Sequence, residues 1–171
     1  MSNLKNKHSS SFLERISDLL KQSRASVLQY VNTTMVVTYF EIGKIIVEEE
    51  QNGKERAEYG KKVLKEVSKR LSSEFGRGFS VSNLQQMKKF FLTYEKQQTL
   101  SVKSETVSRI SKNQFNLSWS HYLVLIKIEN IEERNFYEIE AFKNQWSLRE
   151  LKRQSNTALY ERLVLSKDEK A

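Results

Sequence analysis

The chain reads as a series of helical stripes separated by short polar stretches. From Phe12, the apolar residues Ile16, Leu19, Leu20, Val27, Leu28 and Val31 keep the spacing of one helix face. A second apolar run follows: Met35, Val36, Tyr39, Phe40, Ile42, Ile45 and Ile46. Asn32-Thr33-Thr34 between them is either a break or a polar turn of one long helix. Glu48-Glu49-Glu50 and then Asn52-Gly53 mark a stop. Residues 12–53 are therefore expected as scaffold helices, behind a flexible polar tail at residues 1–11.

Residues 54–96 hold two more stripes around a glycine turn. Tyr59, Val63, Leu64, Val67 and Leu71 share one face, and Lys61, Lys62, Lys65 and Lys69 fall outside it, toward water. The turn is Phe75-Gly76-Arg77-Gly78-Phe79, where two glycines permit positive φ and the phenylalanines can cap a core. Ser80 or Ser82 then offers an N-cap oxygen to the next helix. In that helix Leu84, Met87, Phe91 and Tyr94 cluster on one side. Ser82, Gln86, Lys89 and Thr93 fall on the other, with Gln85 beside them. Two helices of this kind around a tight turn resemble a helix-turn-helix, whose second helix enters the DNA major groove. The plainer alternative is two packed helices with solvated polar faces.

Residues 97–117 are rich in Ser, Thr, Gln and Asn, and read as a polar loop or a short β-wing. Residues 118–165 return to helix. Leu117-Ser118-Trp119-Ser120-His121 opens a short one through Leu125 and Ile126, and Ile131, Phe136, Tyr137 and Ile139 mark another. Trp146-Ser147-Leu148-Arg149-Glu150-Leu151 carries a capping box, Ser147 with Glu150, inside a hydrophobic staple. The last helix is expected to bury Leu148, Leu151, Ala158, Leu159 and Leu163.

Composition supports an all-α helical bundle: 171 residues, no proline, five glycines and 38% hydrophobic content. Without cysteine there is no disulfide and no thiolate chemistry. No apolar run is long enough to span a membrane and no signal segment opens the chain, so a cytoplasmic protein is expected. The net charge of +8 is unevenly spread. Residues 54–96 carry eleven Lys/Arg against five Asp/Glu, whereas residues 1–50 balance at six and six. A localised basic face suits a polyanion, because each neutralised phosphate releases counterions.

Catalytic chemistry is not legible. A metal-dependent nuclease needs clustered carboxylates, yet the only aspartates are Asp18 and Asp168. Glu150 with Lys152 is the single Glu-x-Lys match and is better explained as a cap. His8 lies in the tail, and His121 sits at a helix start, where a structural role is the usual one. No catalytic residue, metal ligand or cofactor is assigned.

Several segments together resemble a known family. Asn32-Thr33-Thr34-Met35-Val36 with Tyr39-Phe40-Glu41-Ile42-Gly43-Lys44-Ile45-Ile46 is one. Tyr59-Gly60 and Phe75 to Ser80, with Asn83, Leu84 and Met87, form another. Leu117 to His121, the step from Glu133-Arg134 to Phe136-Tyr137, and Trp146 to Leu151 complete the set. These resemble the N-terminal domain of YhcG-type proteins, bacterial nucleases of the PD-(D/E)XK class, over about residues 12–168. The resemblance implies a helical, winged-helix-like DNA-binding module ahead of a separate nuclease domain, in a restriction-modification setting. The catalytic residues of that class are not expected in this chain.

The function expected from all this is duplex-DNA binding on behalf of a nuclease domain or partner. Ser82, Gln85 and Gln86 would face the groove, and Arg77, Lys88 and Lys89 would hold phosphates. Ser80 and Asn83 belong to the same turn, and Lys61, Lys62, Lys65 and Lys69 add nonspecific attraction. A module that assembles a restriction-modification complex, recruiting a nuclease or modification subunit, is the alternative; a homo-oligomer is compatible with either. Exposure of Trp119, Tyr122, Tyr137 and Trp146 would favour the assembly module, since aromatic anchors dominate interfaces.

Overall fold

With no proline to interrupt it, the first helix runs far beyond the average length. A computed structural model describes residues 2–52, 57–101 and 115–168. They form α1 (Ser2–Asn52), α2 (Ala57–Phe75), α3 (Val81–Ser101), α4 (Trp119–Leu125), α5 (Ile131–Lys143), α6 (Leu148–Asn156) and α7 (Leu159–Asp168). The fold is all-α, with no strand among the described residues. Asn32-Thr33-Thr34 is part of α1, not a break. The backbone expected as a tail is helical back to Ser2, since adding one residue to an existing helix is far easier than nucleating a new one. Helix α3 carries the chain to Ser101, and most of the segment read as a loop or wing lies outside the described residues.

The apolar face of α1 changes sides along its length. At 100° per residue, Val36, Phe40, Gly43 and Val47 share one face, and Leu20, Val27 and Val31 lie nearly opposite. The first group is buried, and the second is 55%, 62% and 49% exposed. Only the C-terminal half of α1 is scaffold. The stripe that precedes it does not cover the basic unit, which corrects the expectation for residues 12–31.

That C-terminal half lies along α3, the most extensive helix pairing in the molecule. Phe40 sits against Phe90, Phe91 and Phe115 with ring centroids 5.1–5.7 Å apart. Tyr94, Tyr122, Leu125, Tyr137 and Leu151 extend this core into α4, α5 and α6. A smaller cluster, Ile46, Leu64, Leu84 and Met87, holds α2 against α1 and α3. Trp119 touches both clusters.

Local signals explain the turns. Gly76 and Gly78 adopt φ of 78° and 123°, the region the turn required of them. Phe79 packs against the smaller cluster, whereas Phe75 is 62% exposed and meets Phe79, with ring centroids 6.1 Å apart. Ser147 Oγ accepts from the Glu150 amide at 3.2 Å, so the serine half of the capping box forms. The Glu150 carboxylate instead accepts from Arg153 at 2.6 Å and from Gln154 at 2.7 Å. The helix expected to run on from there is broken at Thr157–Ala158, with Ala158 at φ 51°. The Tyr160 amide donates to the Tyr137 hydroxyl at 3.2 Å, tying the start of α7 to α5. Leu163 is consequently 43% exposed instead of buried.

The α1–α3 contact fixes a prediction. A Cβ on Gly43 would lie 2.2 Å from the Met87 carbonyl oxygen and 3.0 Å from Phe91 Cβ. Gly43→Ala must separate two backbones, and is expected to cost about 1–3 kcal/mol, the range for overpacking. Urea denaturation measures it; an unchanged midpoint would show that the two helices separate freely.

Candidate nucleic-acid interface

Helix α3 owes its position to its buried side. Leu84, Met87, Phe90, Phe91 and Tyr94 are all buried. At 100° per residue this turns Ser82, Gln85, Gln86, Lys89 and Thr93 to the opposite side. Ser82, Gln85 and Lys89 are exposed, and Gln86 and Thr93 are half-buried. Ser80 is the residue that caps α3: its Oγ accepts from the Asn83 amide at 3.2 Å. The first turn of α3 contains no acidic side chain, so nothing opposes an anion approaching that helix start.

The twelve residues singled out from the sequence divide by what they touch. Asn83 is occupied by the fold: its amide nitrogen donates to the Gly78 carbonyl, and its oxygen accepts from Trp119 Nε1 at 3.1 Å. Lys88 pairs with Glu50 near the end of α1, and both side chains are largely covered. These two groups, with Ser80, shape the turn and anchor α3. Arg77 is exposed in the turn. On α2, Leu64, Val67 and Leu71 pack inward, while Lys62, Lys65 and Lys69 are exposed. Arg70, Glu66 and Glu74 lie beside Lys69, so the α2 surface carries both signs. The side chain of Lys61 lies outside the described residues.

One cation escaped the sequence reading. Lys127, just beyond α4, joins Ser80, Ser82, Asn83, Gln86 and Leu123 around a surface depression at the start of α3. It is 38 residues from Lys89 in the sequence, and only the packing of α4 under α3 brings it there. No local periodicity signals such a pairing.

Behind this surface the fold buries a polar joint. Tyr94 of α3 and Tyr122 of α4 both donate to Glu138 of α5, at 2.8 and 2.9 Å. The Arg134 guanidinium lies 5.6 Å from the centre of the Tyr94 ring, and its Nη1 donates to the Ile128 carbonyl at 2.8 Å. Burial pushes the Glu138 carboxyl above the usual carboxylate range, although both phenols and Arg134 favour its charged form. Burial, and then the Glu138 charge, likewise raise both tyrosines. This joint fixes three helices to one another.

His121 is structural. Its Nδ1 lies 2.7 Å from Ser118 Oγ and its Nε2 3.0 Å from the Trp146 carbonyl oxygen. A carbonyl can only accept, so Nε2 carries a proton, and in the neutral ring Nδ1 then accepts from the serine. Among the described residues, no group of three or more His, Cys, Asp or Glu side chains can hold a metal ion. No helix among them is long and apolar enough to cross a membrane.

The glycine turn, the α1–α3 contact and the Trp119–His121 corner are built from the segments that carried the family resemblance. The chain belongs to the family of the DUF1016 N-terminal domain, whose model matches residues 15–162. It is 37% identical to a protein of Escherichia coli strain K12 named "Putative nuclease YhcG", over 91% of this chain and 47% of that protein. The chain thus spans about half the length of this relative. No solved structure matches it significantly.

The buried joint generates a pH prediction. A carboxyl held above its unfolded value binds its proton more tightly in the folded state. Its stabilising contribution is therefore complete below the unfolded value of 4.5 and is lost as pH rises through the folded value. Glu138→Gln removes this titration. The melting temperature of the variant relative to the native chain should be higher at neutral pH than at pH values near 4. A difference independent of pH would mean that Glu138 titrates as it does in the unfolded chain.

Proposed function

We propose that this domain binds duplex DNA and places it for a nuclease activity supplied by another domain or partner. The observation that carries the reading is the exposed face at the start of α3. It combines an acid-free first turn, Ser82 and Gln85 in solvent, Gln86 at the edge, and the cations Arg77, Lys89 and Lys127 around them. Amides, hydroxyls and carboxamides suit base edges, while guanidinium and ammonium groups suit phosphates. Lys62, Lys65 and Lys69, with Lys61 on the same helix, add sequence-independent attraction. The helix-turn-helix comparison supplies the docking mode, with α2 as the supporting helix and α3 as the reading helix. The proposed setting, in keeping with the YhcG resemblance, is a DNA-defence system of restriction-modification type.

Tyr122 and Tyr137, whose exposure would favour an assembly module, are fully buried. Trp119 and Trp146 are half-buried and packed against the core. Those four rings therefore give no support to an assembly module.

Fluorescence anisotropy of labelled duplex DNA, titrated across salt, tests the reading. Binding should weaken steeply with salt, and absence of binding at low salt would reject it. Lys89→Ala should weaken binding to all sequences and reduce the salt slope by roughly 0.9 per lost phosphate contact. Lys88→Ala should leave that slope unchanged, because its ammonium is held by Glu50. Gln86→Ala should instead relax base preference at one position, by about 1–3 kcal/mol if it makes a bidentate contact. Unaltered preference would exclude direct reading by Gln86.

A further inference from the structure

Among the described residues, the half of α1 that precedes the folded body touches it only near its end, where Gln29 donates to the Asn116 carbonyl at 2.7 Å, and its apolar stripe stays uncovered. Leu13, Ile16, Leu20, Val27, Tyr30 and Val31 lie within about 100° of one another around it, taking 100° per residue. They are between 41% and 67% exposed. A solitary helix in water gains little beyond its own hydrogen bonds, and most helical stability in proteins comes from burying such a face. The stripe therefore calls for an occupant.

We infer that the occupant is the same stripe of a second copy of this chain, so that α1 of one molecule packs along α1 of another. Charge supports a self-pairing. Residues 12–31 carry three Lys/Arg against two Asp/Glu in a chain of net charge +8. Lys21 is already paired with Asp18 at 3.1 Å on the polar side. Two copies thus meet here with little repulsion, whereas residues 54–96 of two copies would repel each other. A nucleic acid finds too little positive charge on this segment, and an anionic membrane surface selects a helix whose polar face is rich in lysine and arginine.

Area supports it as well. Side chains of this size and exposure leave on the order of 600 Å² of surface per copy, and a pair that covered it would bury about 1,200 Å², the lower end of the range for specific interfaces. The stripe also does not end abruptly. Tyr30 and Thr34 continue into a groove of about 760 Å³ between α1 and the end of α5, where Phe142 is 50% exposed. Continuous apolar surface thus leads from the free helix onto the folded body and lets a paired helix run past the end of the stripe.

Sedimentation equilibrium of the whole chain tests this. At micromolar concentration the mass should be twice the 20.2 kDa of one chain. Leu20→Lys combined with Val27→Lys should weaken dimerisation at least about a hundredfold, since each buried side chain of this kind contributes on the order of 1.5–3 kcal/mol. Both positions lie outside the core, so near-ultraviolet circular dichroism of the folded body should not change. Because the chain has no cysteine, Ser23→Cys introduces a single thiol in the middle of the stripe. Mild oxidation should give a covalent dimer of the native-like protein and none of the double-lysine background. A native chain that stays monomeric throughout overturns the inference. So does a dimer that the two lysines leave intact, since its interface would then lie elsewhere.

Discussion

The close approach of α1 and α3 at Gly43 is the constraint on which the rest of the structure depends. A hydrogen at that position lets the α1 backbone come up to the Met87 carbonyl, with Phe91 Cβ next to it. Phe40 and Val36, one and two turns earlier on α1, then reach the aromatic core around Phe90 and Phe115. Ile46, almost one turn later, reaches Leu84 and Met87 and so helps to seat α2. Lys88 pairs with Glu50 near the end of the same contact. The orientation of α3 about its own axis follows from this one line of contact, and with it the direction in which Ser82, Gln85 and Lys89 point.

Much of this was legible in the sequence, because helix formation here is dictated by local rules. The two buried faces of α2 and α3, the glycine turn with positive φ, the short α4 and the Ser147 cap all rest on residues within one or two turns of each other. What could not be read was phase over distance. The apolar runs before and after Asn32-Thr33-Thr34 look like one scaffold, but each keeps its own register, and the first faces away from the core that the second builds. Nothing local distinguishes a stripe that is buried in its own chain from one that is not.

The candidate interface shows the same division. Helical spacing alone puts Ser82, Gln85 and Lys89 on the outer side of α3, where the structure has them exposed. Asn83 and Lys88 share the segment and the polarity, yet their partners come from 36 and 38 residues away, Trp119 and Glu50. A lysine next to a lysine gives no sign of which one already holds a carboxylate. Lys127 is the converse case, since its relevance arises only from the seat of α4 against α3, which the Asn83–Trp119 hydrogen bond helps to hold.

The two surfaces have consequences for each other. The face proposed to read DNA belongs to the body that begins near Val36, while the exposed stripe lies on the part of α1 that precedes it. Pairing through the stripe would therefore leave the α3 face of each copy open and would join two of them through a stiff helix instead of a loose linker. Rigid connection matters because a second binding event gains from linkage only when the spacing of the two sites matches the target. For a DNA-binding domain, a fixed separation between two reading faces translates into a preferred spacing of half-sites along the duplex. Sequence preference at each face and spacing between faces would then be set by different parts of the chain, the first by α3 and the second by the N-terminal half of α1.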